Sequence, residues 1–178
     1  MKFRICVLGG LMATAGVASA QSGNINLQGE VAVYTCVVAA NGNSGTGDAV
    51  VALPTITTPA MVPGGRAGLR AFEITVGSLT QPCGAPRVAT EWLAGANVDP
   101  ATGFLNNQAG ADMAEGVQVV LKNDLLKDID VRDNTHSQVV DLVGGMATLN
   151  YHGEYHGGGG TLRPGRVSTG VQYKIEYP

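Results

Sequence analysis

From residue 166 to residue 177 apolar and polar side chains alternate without interruption. Val167, Thr169, Val171, Tyr173, Ile175 and Tyr177 fall on one parity, and Arg166, Ser168, Gly170, Gln172, Lys174 and Glu176 on the other. A period of two marks a strand with one face in the core, and at about 3.3 Å per residue this one would extend about 40 Å. The same alternation sets Ile25, Leu27, Val31 and Val33 against Asn24, Asn26, Gln28 and Glu30, which predicts a strand over 24–38. Further strands are expected at 49–57, 68–77, 87–93, 117–122 and 146–155, with one or two short ones inside 125–143. Residues 97–115 read as a loop, and Asp124–Asp130 as no more than a turn of helix. The breaks fall at turn chemistry: the Asn/Gly/Ser run 41–48, the prolines and glycines of 59–65, Gln81-Pro82-Cys83-Gly84, and Gly157–Gly160. Many short strands separated by such turns predict one all-β domain of the sandwich type.

The first twenty residues follow a different logic. A short positive head, Met1-Lys2-Phe3-Arg4, precedes an apolar or small run from Ile5 to Val17 and the small-x-small site Ala18-Ser19-Ala20. This is the pattern of a secretory signal, expected over 1–20, and it is too short for a spanning helix. Export changes how the cysteines read. Cys6 would leave with the signal, and Cys36 and Cys83 would remain in an oxidising compartment, where a disulfide is the default. Lys2 and Arg4 would also leave, so 9 cations (11 − 2) would face 14 anions, a net of −5.

Composition narrows the function classes. Charged residues make up 14% and apolar residues 44%, with 26 glycines and 5% aromatics. That is too little charge for a disordered chain and too much glycine for long helices. An acidic balance supplies no cationic surplus to displace counterions, which argues against a nucleic-acid partner.

Candidate chemistry is sparse. His152, Glu154 and His156 share one strand face, with Tyr151, Gly153 and Tyr155 on the other. Three possible ligands without a fourth read better as a solvated strand face than as a metal site. Asp124, Asp128, Asp130 and Asp133 lack the order and closing Glu of a calcium loop. His136 and Ser137 have no nucleophile elbow around them, and Gly157–Gly160 leads into no phosphate-binding helix. No catalytic residue, cofactor or metal is expected, so the chain does not read as an enzyme.

The two ends of the chain together resemble the pilins of chaperone–usher (type 1) fimbriae, in particular their major shaft subunits. At the C-terminus Tyr177 is penultimate, alternating apolar residues precede it, and Gly165 lies fourteenth from the end. Near the N-terminus, Gly23 to Val31 followed by Cys36 is similar to the family's arm and first strand. Leu53-Pro54, Cys83, Phe104-Leu105, Gly116-Val117-Gln118-Val119 and Tyr151-x-x-x-Tyr155 fall between them in the family's order.

The resemblance implies an incomplete immunoglobulin-like sandwich that lacks its last strand and takes one from a neighbouring subunit. It divides the chain into a signal peptide (1–20), a donor-strand arm (21–31) and a pilin domain (32–178). Ile25, Leu27 and Val31 would fill a neighbour's groove, with Gly29 over its shallow part. Gly165, Val167, Thr169, Val171, Tyr173, Ile175 and Tyr177 would form the strand that borders the groove and that a chaperone recognises. The implied partners are identical subunits, a periplasmic chaperone, an outer-membrane usher, and tip adhesin or adaptor subunits. The chain would pass through the periplasm to a surface fimbria serving adhesion and biofilm formation. The alternative from the residues alone is a monomeric secreted β-sandwich that binds a glycan or another surface ligand.

Overall fold

Strand β3 (Arg66–Val76) and strand β8 (Ala147–Gly157) form the longest antiparallel ladder, in which Phe72, Ile74 and Val76 stand opposite Tyr151, Leu149 and Ala147. Alternation makes this ladder one wall of the core. In β8, Ala147, Leu149, Tyr151, Gly153 and Tyr155 are buried while the residues between them are not. The register shifts between Ala67 and Arg70. Gly68 sits there at a φ of +70°, and a Cβ on it would come within 2.7 Å of the Tyr155 ring. Glycine thus serves both the bulge and the aromatic packed beneath it.

The computed structural model describes residues 36–44, 47–57, 59 and 61–178, which belong to a unit spanning Ala32–Pro178. Besides β3 and β8, its strands are β1 (Val38–Ala40), β2 (Asn43–Ser44), β4 (Arg87–Leu93), β5 (Leu105–Asn106), β6 (Val117–Lys122), β7 (Val139–Asp141) and β9 (Gln172–Glu176). One sheet runs β2-β1-β3-β8-β6-β5 and the second β7-β4-β9. The two face each other as an immunoglobulin-like sandwich, the class expected. Val88, Thr90 and Trp92 of β4 are buried against the first sheet. Trp92 lies edge-on to Tyr151 at 5.1 Å between ring centroids and to Phe72 at 6.4 Å. A disulfide joins Cys36 to Cys83, tying the start of β1 to the turn before β4.

Several expectations need correction. Residues 49–57 form no strand ladder, because no neighbour pairs with them among the described residues. The loop 97–115 contains β5, which pairs with β6 through Leu105↔Val119. Asp124–Asp130 contains a turn and no helix, with Asn123 Oδ1 accepting from the Leu125 and Lys127 amides. Of the long terminal strand, only Gln172–Glu176 forms a ladder among the described residues, with an isolated bridge from Arg166 to Met113. The predicted strand 24–38 contributes only its last residue, Val38, to a described strand; the signal 1–20 and the arm 21–31 lie outside the described residues.

Candidate functional site

A groove of about 1170 Å³ runs between the sheets at one side of the sandwich. Its walls are two extended segments, 47–53 and 167–175, and its floor is core: Phe72, Ile74, Trp92, Val119 and Leu121. Residues 49–53 pair with nothing among the described residues. Among the described residues strand β9 pairs with β4 on one side only, and no described strand pairs with its other edge. An unpaired strand edge beside core side chains is a template for another strand.

The wall 166–171 is extended for a local reason. In an extended chain the N–H and C=O of successive residues point to opposite sides. The even-numbered residues are held by neighbouring loops. The Arg166 carbonyl accepts from the Ala114 amide at 2.8 Å and its amide donates to the Asp112 carbonyl at 2.8 Å. Ser168 donates to Asn107 Oδ1 at 2.7 Å, and its carbonyl accepts from Gln108 at 3.0 Å. The Gly170 carbonyl accepts from Asn97 Nδ2 at 3.3 Å. Val167, Thr169 and Val171 make no main-chain hydrogen bond of this kind among the described residues. Their side chains are half-buried and line the groove. One edge of this segment is thus tied to its own domain, while the other has no main-chain partner among the described residues.

Gly165 opens this wall. Its α-carbon lies so close to the Met113–Ala114 backbone that an added Cβ would fall 2.4 Å from the Met113 carbonyl carbon. Close backbone approach, not a positive φ, requires glycine here. Tyr173 faces the groove in register with Trp92, their ring centroids 5.8 Å apart. Burial raises its phenol pKa, with the Asp48 charge adding to the effect. On the outward face Lys174 pairs with Glu176 at 2.7 Å and Glu91 at 2.9 Å, and these hydrogen bonds push its ammonium above the usual value. Ile175 continues the half-buried face and lines the groove. Tyr177 is half-buried and bonded to the Cys36 backbone, so the strand finishes at the disulfide end of the molecule.

Of the residues expected along this strand, Val167, Thr169, Val171, Tyr173 and Ile175 line the groove, while the opposite wall and the floor were not anticipated from the sequence. The signal for the wall was the apolar run Val50–Leu53, which reads equally well as a paired strand. Trp92 is held by a side chain acting as a strand edge: its amide donates to Asn134 Oδ1 at 2.6 Å and its carbonyl accepts from Asn134 Nδ2 at 3.0 Å. No linear pattern announces that contact across 42 residues. Ile25, Leu27, Gly29 and Val31 lie outside the described residues.

The other clusters resolve into local pairs. Glu154 reaches Lys122 at 3.3 Å, with their side chains only 14% and 13% exposed, so this strand face is less solvated than expected. His156 packs edge-on against Phe104 at 5.2 Å. Burial, then the Arg66 charge, lowers its pKa. Asp128 binds Arg66 and Lys122, each at 2.6 Å. Asp130 binds Arg132, Asp133 accepts from the Thr135 amide, and Asp124 accepts from Gln138. Each acidic group is thus engaged by its own neighbour.

Comparison with known proteins is consistent with this geometry. The chain is 34% identical over 175 residues to the major fimbrial subunit SMF-1 of Stenotrophomonas maltophilia, an alignment covering 94% of this chain and 99% of that protein. Its fold is similar to the P pilus rod subunit PapA, with a TM-score of 0.60 at 14% identity over 80% of this chain and 99% of that one. It is equally similar to the subunit of a chaperone–usher pilus solved to explain rod uncoiling. There the TM-score is 0.60 at 14% identity, over 92% of this chain and all of the other. No protein-family model matches the chain.

Proposed function

The chain belongs to the family of major fimbrial subunits, and on that premise we propose that it is the repeating unit of a surface fimbria that polymerises head to tail by donor-strand exchange. Its role is structural rather than catalytic. The observation that carries the mechanism is the groove with a core floor and two main-chain walls that no strand pairs among the described residues. The occupant is the arm 21–31 of a second copy, which enters by β-augmentation. Ile25, Leu27 and Val31 supply the apolar side chains, and Gly29 crosses a shallow stretch. Each buried aliphatic contributes on the order of 1.5–3 kcal/mol before ordering costs, and new ladder bonds add to that.

Direction follows from the ends of the molecule. The arm precedes Cys36, and Cys36 lies at the Tyr177 end of the groove wall. An arm running parallel to β9 would bring two copies together by the same end, and such a pair closes on itself. An antiparallel arm sets the Cys36 end of the donor against the Gly165 end of the acceptor. That contact is heterologous and propagates as a filament. Before assembly, an exposed groove of this kind is an aggregation hazard. We assign its protection to a periplasmic chaperone that lends a strand, delivery to an outer-membrane usher, and attachment at the filament end to adaptor or adhesin subunits.

Deleting residues 21–29 tests the reading. Surface filaments should vanish from micrographs, and the ladder of heat-sensitive polymers on an unheated denaturing gel should collapse to one band. Unchanged filaments would refute donor-strand exchange, and a single band from the intact chain would favour the monomeric binding module.

A further inference from the structure

The groove wall that begins at Gly47 belongs to no ladder, and among the described residues no main-chain hydrogen bond holds residues 49–57. Side chains place it instead. Val51, Leu53 and Ile56 are half-buried while Ala52, Thr55 and Thr57 are exposed, so the wall turns its aliphatic side chains toward the sheet. Leu53 and Ile56 both pack on the core. Leu53 precedes Pro54, whose ring keeps the backbone before it extended.

Both aliphatics come down on glycines of the large sheet. Gly153 stands between Tyr151 and Tyr155 on the core-facing parity of β8. A Cβ there would stand 3.3 Å from Leu53 Cδ2, and among the described residues Leu53 is the one neighbour it would meet within 4 Å. The Leu53 methyl thus takes the place of the missing side chain. Ile56 does the same beside Gly68, where an added Cβ would stand 3.4 Å from Ile56 Cγ2. Leu53 also faces the groove: it lines it together with Gly153 and with Leu121, which stands opposite Gly153 on β6. At this point the floor is shaped by a side chain of the wall and by the lack of one on the strand below.

We propose that the Leu53–Gly153 contact positions the wall for the donor strand, and so sets the size of the aliphatic side chain that the groove takes over Gly153. This inference rests on the donor-strand reading and adds to it a pair of positioning residues away from the terminal strand. A methyl on Gly153 would sit closer to Leu53 than the roughly 3.5–4.0 Å at which aliphatic carbons pack. It lifts Leu53 by a few tenths of an ångström into the space that an arm side chain fills. A close-packed floor does not absorb that shift without loss. The contact is local, so the loss falls on the arm position that lies over it. A general loosening of the fold would weaken the hold on every arm position alike.

The test uses full-length chains assembled on cells and reads the temperature at which the polymer ladder collapses on a denaturing gel. Gly153→Ala should lower it by about 5 °C. Ile25→Ala, Leu27→Ala and Val31→Ala should each lower it as well. Combined with Gly153→Ala, the loss at the position over Gly153 should disappear, since the shortened side chain leaves the room that Leu53 takes, while losses elsewhere on the arm should add. Uniform behaviour of the three positions, additive or not, overturns the inference, because the contact then acts on the fold as a whole. An unmoved collapse temperature in Gly153→Ala overturns it too. Should Gly153→Ala form no ladder, Leu53→Val changes the same contact from the wall side and is put through the same three combinations under the same rule. A ladder that persists when residues 21–29 are deleted refutes the donor strand instead, so the two failures are distinguishable.

Discussion

The Tyr173 hydroxyl donates a hydrogen bond to the Gly47 carbonyl on the opposite wall of the groove, at 2.5 Å. The two residues are 126 apart in sequence, and their contact straps the walls together. Gly47 is held at a φ of +67°, and a Cβ on it would stand 3.1 Å from the hydroxyl. The ring therefore spans the groove. A strand that enters must pass over this strap or release it.

Tyr173→Phe should keep the ring and remove the bond. A hydrogen bond of this kind contributes about 1 kcal/mol. If strand entry breaks it, a synthetic peptide of residues 21–31 should enter the groove about fivefold faster. Stopped-flow fluorescence with a labelled peptide measures this, and an unchanged rate shows that the strap survives entry.

Gly165→Ala should destabilise the subunit by about 1–3 kcal/mol, because the added methyl meets rigid backbone at Met113 and Ala114 rather than a movable side chain. The damage should be local to the wall. Arm-peptide affinity should fall along with the urea midpoint of the peptide-bound chain. Gly170→Ala, where a Cβ meets nothing within 4 Å, is the control and should change neither.

Reduction of Cys36–Cys83 should cost about 4 kcal/mol in the chain-entropy model, since the bridge closes a loop of 47 residues' separation. The thermal midpoint of the peptide-bound subunit should fall by roughly 10 °C. The double variant Cys36→Ser/Cys83→Ser should match the reduced protein in a calorimetric scan. A midpoint that does not move would show that the bridge constrains the unfolded chain little.

Asp128 makes a prediction about acid. Burial by itself raises its carboxyl pKa, but the hydrogen bond from Lys122 and the charges of Arg66 and Lys122 outweigh burial and hold it below the usual value. A depressed carboxyl stabilises the fold above its unfolded pKa of about 3.9 and loses that contribution as pH falls through the folded pKa. Asp128→Asn should therefore lower the thermal midpoint near neutral pH, by an amount equivalent to about 1 kcal/mol. Its stability should also fall less steeply than the wild type's as pH drops below about 4. Melting curves from pH 7 to pH 2.5 decide the matter.

Local alternation was enough to fix which side chains of 167–177 face inward, because strand geometry ties parity to face wherever the chain is extended. It also located β3, β4, β6 and β8 to within a few residues, and export explained why Cys36 and Cys83 pair. Alternation says nothing about what lies beside a strand. The run Val50–Leu53 looked like any other strand, and only the assembled sandwich left it facing β9 across a groove with no ladder between them. Gly165 was legible as a feature of the terminus, yet its reason, the backbone at Met113, lies 52 residues away. The same holds for Tyr173 and Gly47, and for Trp92 and Asn134. Parity and turn chemistry act between neighbours in the chain, so the sequence carries them on its own. Edges, grooves and straps are relations between segments brought together by folding, so only the tertiary structure decided them.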